Sequence, residues 1–130
     1  MSDVDKTEIV KLTQRLLDSI AGADWETYRS LCDPSLSAFE PEARGHLVEG
    51  LAFHKFYFDL GTKGTPRSNT ICSPHVRLLG PEVAVISYVR LVQHVDGSGT
   101  PQTASSEETR VWHRQEGRWQ HVHFHRSANA

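Results

Sequence analysis

Between residues 7 and 20 the apolar side chains Ile9, Val10, Leu12, Leu16, Leu17 and Ile20 recur at spacings of three and four, which predicts a helix with one apolar stripe. Ala21-Gly22 closes it. Asp24 has the chemistry of an N-cap for a second, shorter helix through Trp25, Tyr28 and Leu31, with Glu26 favouring its first turn. Asp33-Pro34 stops that helix, since proline disfavours the helical conformation at the residue before it. A short extended stretch (36–39) and a turn-rich passage through Pro41 and Gly45 follow. Residues 50–60 then place Leu51, Phe53, Phe56, Tyr57, Phe58 and Leu60 around most of a third helix, with Gly61 as its C-cap. A helix apolar on so many sides requires cover on more than one side.

The second half changes period from 3.6 to 2. Runs at 69–79, 83–95, 102–115 and 118–127 predict four strands, separated by Gly80-Pro81, Asp96-Gly97-Ser98-Gly99 and Glu116-Gly117. Connections this short predict an antiparallel meander. Helices followed by long strands give an α+β class, with the helices packed on one face of the sheet. No repeat or linker interrupts the chain, so residues 1–130 are expected to form a single domain. Alternation sets Ala84, Ile86, Tyr88, Arg90 and Val92 on one face, and Glu108, Arg110 and Trp112 on another. It also groups Val122, Phe124 and Arg126, and turns His121, His123 and His125 the other way with Trp119. Arginines on otherwise apolar faces need a carboxylate, a cavity or a ligand.

A length of 130 residues is enough to bury a core without metal or disulfide staples. The net charge of −2 gives no electrostatic reason for nucleic acid or an anionic membrane as partner. No apolar run reaches bilayer length, and the first ten residues are polar, unlike a signal peptide. Cys32 and Cys72 lack CxxC spacing and read as small buried hydrophobes of a cytoplasmic protein.

Longer motifs carry a resemblance. Cys32-Asp33-Pro34, residues 38–43 (AFEPEA), 45–50 (GHLVEG), 53–58 (FHKFYF), 106–114 (SEETRVWHR) and 119–127 (WQHVHFHRS) are similar to the association (hub) domain of calcium/calmodulin-dependent protein kinase II, in one register from Lys6 to Ser127. The resemblance implies a cone-shaped nuclear transport factor 2-like fold, with a strongly curved antiparallel sheet around a long helix and a conical cavity. It implies units that pair and close into two stacked rings, dodecamers or tetradecamers, a scaffold that raises the effective concentration of whatever it carries. The expected partner is the chain itself. No cofactor and no catalytic residue follow from it. The Gly-rich loop, catalytic loop and DFG motif of a kinase do not occur in these residues. The chain is read as either a stand-alone hub or a fragment of a longer kinase. Residues 61–67 form a short loop without the aromatic residue expected there in some animal members.

The same resemblance puts Arg90, Arg110 and Arg126 on the cavity wall, with His54, Tyr28 and Glu40 nearby. Guanidinium groups fit carboxylate and phosphate, so the implied ligand is a small anion or an acidic peptide. The bland alternative is that each arginine pairs with a carboxylate such as Glu40 or Glu108 and only closes the cavity. Three histidines on one strand face could ligate a metal, but packing against a neighbour is the stronger reading. The aromatic third helix reads as core and interface rather than as a cofactor platform. An isomerase- or hydratase-type enzyme of this fold would need an acid–base pair, and His54 with Glu40 supplies the one candidate. A His54–Glu40 contact on an open apolar pocket would favour that enzyme, whereas Glu40 tied to an arginine would favour the hub.

Overall fold

The computed structural model describes residues 2–62 and 66–128. Helix α1 spans Ser2–Ala21, beginning five residues before the expected start at residue 7, with Asp3 and Asp5 in a first turn where the helix dipole favours carboxylates. Helix α2 spans Trp25–Leu31, and the Asp24 side chain accepts a hydrogen bond from the Thr27 N–H at 3.2 Å, as its N-cap chemistry requires. Strand β1 (Cys32–Phe39), a 3-10 turn (Pro41–Ala43) and strand β2 (Val48–Glu49) lead to helix α3, Ala52–Asp59. Gly61 takes a positive φ of 71° just past α3, a conformation that a Cβ disfavours. Of the loop at 61–67, residues 63–65 lie outside the described residues.

Strands β3 (Arg67–Leu78), β4 (Val83–Val95), β5 (Pro101–Gln115) and β6 (Arg118–Arg126) form the antiparallel meander expected from their short turns. The whole sheet is nevertheless mixed, in the order β2-β1-β6-β5-β4-β3, because β1 runs parallel to β6. Short turns force antiparallel pairing only inside the meander. The chain between β1 and β6 is long enough to return in either direction.

On the inward face, Ala84, Ile86 and Tyr88 of β4, Trp112 of β5 and Phe124 of β6 join Ile9, Leu16 and Leu17 of α1 in one core. Each such burial contributes about 1.5–3 kcal/mol. Trp112 donates its indole N–H to Thr13 at 3.2 Å, which fixes α1 against the sheet. Helix α3 departs from its expected cover: His54 is its buried residue, while Phe56 and Tyr57 stay exposed in the single chain. Cys32 is buried as expected, but Cys72 is half-buried; both are free thiols.

Strict alternation fails in β6. Val111 pairs with His123 and Trp112 with His121, which leaves Val122 as the extra residue of a β-bulge. His121 therefore turns inward and is fully buried beside Trp112 and Phe124, while His123 and His125 stay on the outward face. The three histidines do not share a face. Trp119 is likewise buried, opposite Arg114.

Candidate ligand cavity and its arginine network

Alternation along β4 and β5 delivers Tyr88, Arg90, Glu108 and Arg110 to the inward face, where the register sets Tyr88 opposite Glu108. Glu108 sits at the centre of the resulting network. Arg90 Nη1 donates to it at 2.9 Å, Arg110 Nη2 at 3.0 Å, and the Tyr88 hydroxyl donates to it as well. Arg90 spends its Nε on Asn69 at 2.7 Å, and Asn69 in turn bonds the Leu17 carbonyl of α1. Arg110 also lies over the Phe124 ring, 4.3 Å from its centre. Burial alone would raise the Glu108 carboxyl, but the Arg110 and Arg90 charges outweigh it and hold it at about 2. Burial opposes the charge of Arg110, and the Tyr88 and Glu108 oxygens beside it hold the guanidinium charged. Tyr88 and Tyr28 are pushed up, chiefly by burial, and stay neutral.

A cavity of about 420 Å³ opens beside this network, and Tyr28, Glu40, His54, Arg90, Arg110 and Arg126 all line it. The residues come from α2, the end of β1, α3, β4, β5 and β6, so the cavity is assembled by the whole fold. Arg110 is 1% exposed and Arg90 8%, so each shows only part of its guanidinium to the cavity. Arg126 is the more open of the three and pairs with Glu42 across the rim. Burial would raise the Glu42 carboxyl, and the bond to Arg126 overrides it and holds it low. Arg67 lines the cavity as a fourth guanidinium.

The pairing differs from the sequence expectation in one respect. Among the described residues Glu40 meets no arginine; His54 Nε2 lies 2.5 Å from its carboxylate, with Tyr28, Phe53 and Phe124 rings around the imidazole. The carboxylates that meet the arginines are Glu108 and Glu42. Of the signs that separate an enzyme from a hub, the His54–Glu40 contact is present, and the cavity it lines carries apolar side chains such as Phe58, Leu60 and Val92 together with the guanidinium groups. His54 Nδ1 is buried without a partner among the described residues.

His121 links the network to β1. A guanidinium can only donate, so Arg110 Nη1 gives its hydrogen to His121 Nε2 at 3.3 Å, and Nδ1 carries the proton towards Cys32 Sγ at 3.5 Å. Burial first, and the Arg110 charge second, drive the His121 pKa well below its ordinary value, so the ring is neutral. Burial also pushes the Cys32 thiol up to about 12, which leaves it unreactive. With His121 turned inward, the β6 histidines cannot converge on one metal ion.

The six residues expected on the cavity wall are among those that line it, and Glu108 had been named as a possible partner of an arginine. Sequence reasoning missed Glu42, Asn69, Tyr88, Arg67 and the inward turn of His121. Tyr88 was legible from its face. Glu42 was not, because its position depends on the Pro41 turn.

The comparisons bear on this geometry. A family model described as the calcium/calmodulin-dependent protein kinase II association domain matches residues 5–130. The chain is 54% identical over 126 residues to calcium/calmodulin-dependent protein kinase type II subunit delta of Oryctolagus cuniculus, which covers 95% of this chain and 24% of that protein. It therefore spans about a quarter of that relative's length. The association domain of C. elegans CaMKII superimposes with a TM-score of 0.89 at 45% identity, covering 97% of each chain. A nuclear transport factor 2-like superfamily protein of Salmonella enterica superimposes with a TM-score of 0.81 at 25% identity, covering 100% of this chain and 94% of that one.

Proposed function

The chain belongs to the calcium/calmodulin-dependent protein kinase II association-domain family, and we propose that it is an oligomerisation hub. In this reading residues 1–130 form one cytoplasmic, non-catalytic unit that pairs with itself. The pairs close into a double ring, a dodecamer or tetradecamer. The observation that carries it is the cover missing from α3. Phe56 is 61% exposed, and Tyr57 and Leu60 lie open beside it. Aromatic surface of this kind on a single chain is stabilised by burial against another copy.

The cavity has a second, compatible role in this reading, as a site for a small anion or the carboxylate of an acidic peptide. Four guanidinium groups (Arg67, Arg90, Arg110 and Arg126) line the cavity with two carboxylates, Glu40 and Glu42; buried Glu108 binds Arg90 and Arg110 behind the wall, and Glu40 is already engaged by His54. A positive excess remains, and a ligand carboxylate offsets it. The same excess disfavours the isomerase or hydratase reading, because nearby cations weaken a general base.

Native mass spectrometry at micromolar protein tests the hub. A large, even-numbered closed assembly with dimeric intermediates is the expected result, and a monomer throughout would remove the reading.

A further inference from the structure

The cavity arginines differ in how much of their donor capacity the fold already uses. Arg110 engages all three of its nitrogens: Nε with Tyr88 and Glu108, Nη1 with His121, and Nη2 with Glu108. Arg90 commits Nε to Asn69 and Nη1 to Glu108, which leaves Nη2 without a partner among the described residues. Arg126 commits only Nη2, to Glu42 on the rim. Arg67 commits none. It lines the same cavity, yet among the described residues it joins no ion pair and no hydrogen bond. Asp18 shares a shallow groove with Arg67 on its other side, but the Asp18 carboxylate accepts from Gln14 instead.

The register sets these groups in a line. Arg126 of β6 stands opposite Glu108 of β5, and Glu108 binds Arg90 of β4. Arg90 binds Asn69 of β3, and Arg67 lies two residues before Asn69, on the same face of that strand. On a flat sheet the line from β6 to β3 crosses three strand spacings, roughly 14 Å, and Arg67 is about 7 Å further along β3. Both ends nevertheless line one cavity of about 420 Å³. Its wall also carries Ile20, Phe58, Leu60 and Val92, which are apolar. Opposite Arg67 in the register is His94, whose Nδ1 is buried without a partner among the described residues. The unused donors are therefore divided between two ends, and apolar side chains share the wall with them.

We infer that the cavity takes a small linear diacid, a molecule with a carboxylate at each end of a methylene chain. One carboxylate binds Arg126, and the other binds Arg67 and the free Nη2 of Arg90. The methylene chain lies on the apolar wall. The inference rests on the reading of the cavity as an anion site and adds a second acidic end to its ligand. A cavity of this volume suits a small molecule. A ligand with one acidic end satisfies Arg126 or Arg67 but not both, so the second carboxylate is what distinguishes the two classes.

Isothermal titration calorimetry of the full chain with adipate and with hexanoate, at matched ionic strength, tests it. The two ligands have the same carbon chain and differ in one acidic end. The wild type should hold adipate roughly tenfold more tightly than hexanoate, the worth of one charge-assisted contact. Arg67→Ala should bring adipate down to the hexanoate level and leave hexanoate as it is in the wild type. Arg67 is exposed, so the variant should keep the wild-type melting temperature without ligand. Arg118→Ala removes an exposed arginine outside the cavity and should change neither affinity. Equal affinities in the wild type, or an Arg67→Ala loss shared by both ligands, overturns the diacid. So does an Arg118→Ala loss as large as that of Arg67→Ala, because general attraction between charges then accounts for the preference. If neither ligand binds beyond a chloride control, the anion-site reading falls as well.

Discussion

Arg90 and Arg110 share one carboxylate, that of Glu108, from which they stand 2.9 and 3.0 Å away. Among the described residues neither arginine has a second carboxylate bonded to it, so the loss of Glu108 leaves two guanidinium groups uncompensated in the core. Glu108→Gln should therefore cost about 3–5 kcal/mol, measured by urea unfolding. A cost below about 1 kcal/mol would show that water reaches the pair. The Glu108 contribution is fully present above about pH 4.5. It should fade as pH drops towards about 2, the depressed value that the carboxyl holds in the fold.

Among the cavity arginines, Arg126 is the one to remove when ligand binding is measured. Arg110 is too deeply buried, and its loss would unfold as much as it would unbind. Arg126→Ala should weaken binding of a short carboxylate roughly tenfold, the loss of one charge-assisted contact, while the assembly mass stays constant. Thermal shift checks it. At about a hundred times its dissociation constant a bound anion stabilises the wild type by roughly 2.7 kcal/mol. If acetate, succinate and phosphate all leave the wild type at the melting temperature of matched chloride controls, the cavity is a structural hollow only.

Folding should also respond to mild acid through His121. The ring is neutral when folded and takes up a proton only when the chain unfolds, so its contribution is intact above about pH 6.5 and declines below it. His121→Gln should remove that part of the slope. Between about pH 6 and 5 the wild type should lose up to about 1.4 kcal/mol more than the variant, read from urea midpoints. Parallel pH profiles would mean that the buried ring is charged after all.

Phe56 separates assembly from folding. It lies open on α3, so Phe56→Glu should leave the melting transition of the isolated unit within about 0.5 kcal/mol of wild type. If α3 is a contact between copies, the same change buries a charge there and should reduce the native mass. A full-sized assembly with Glu at this position would place the contact elsewhere.

Much of this was legible in the sequence because periodicity reports burial directly. The stripe from Ile9 to Ile20 and the alternation from Ala84 to Arg90 each predict which side chains meet the core, and both do. The parallel partner of β1 was not legible, since nothing local couples Ser37 to His123 across 86 positions. The Glu40–His54 pair was visible as two residues but not as a choice. Whether Glu40 takes a histidine or an arginine depends on where the Pro41 turn leaves it, and Glu42 reaches Arg126 for the same reason. His121 escaped because a bulge has no fixed signature in composition.

That bulge makes β6 a strand of two parities. Histidine recurs three times at a constant interval, yet one extra residue, Val122, lets the first ring serve the interior and the next two serve the exterior. Were β6 to pair without the bulge, Val122 would take the place opposite Trp112, His121 would turn outward and Arg110 would lose its ring partner. The duty of each of these side chains therefore depends on how the strand is counted as well as on its chemistry.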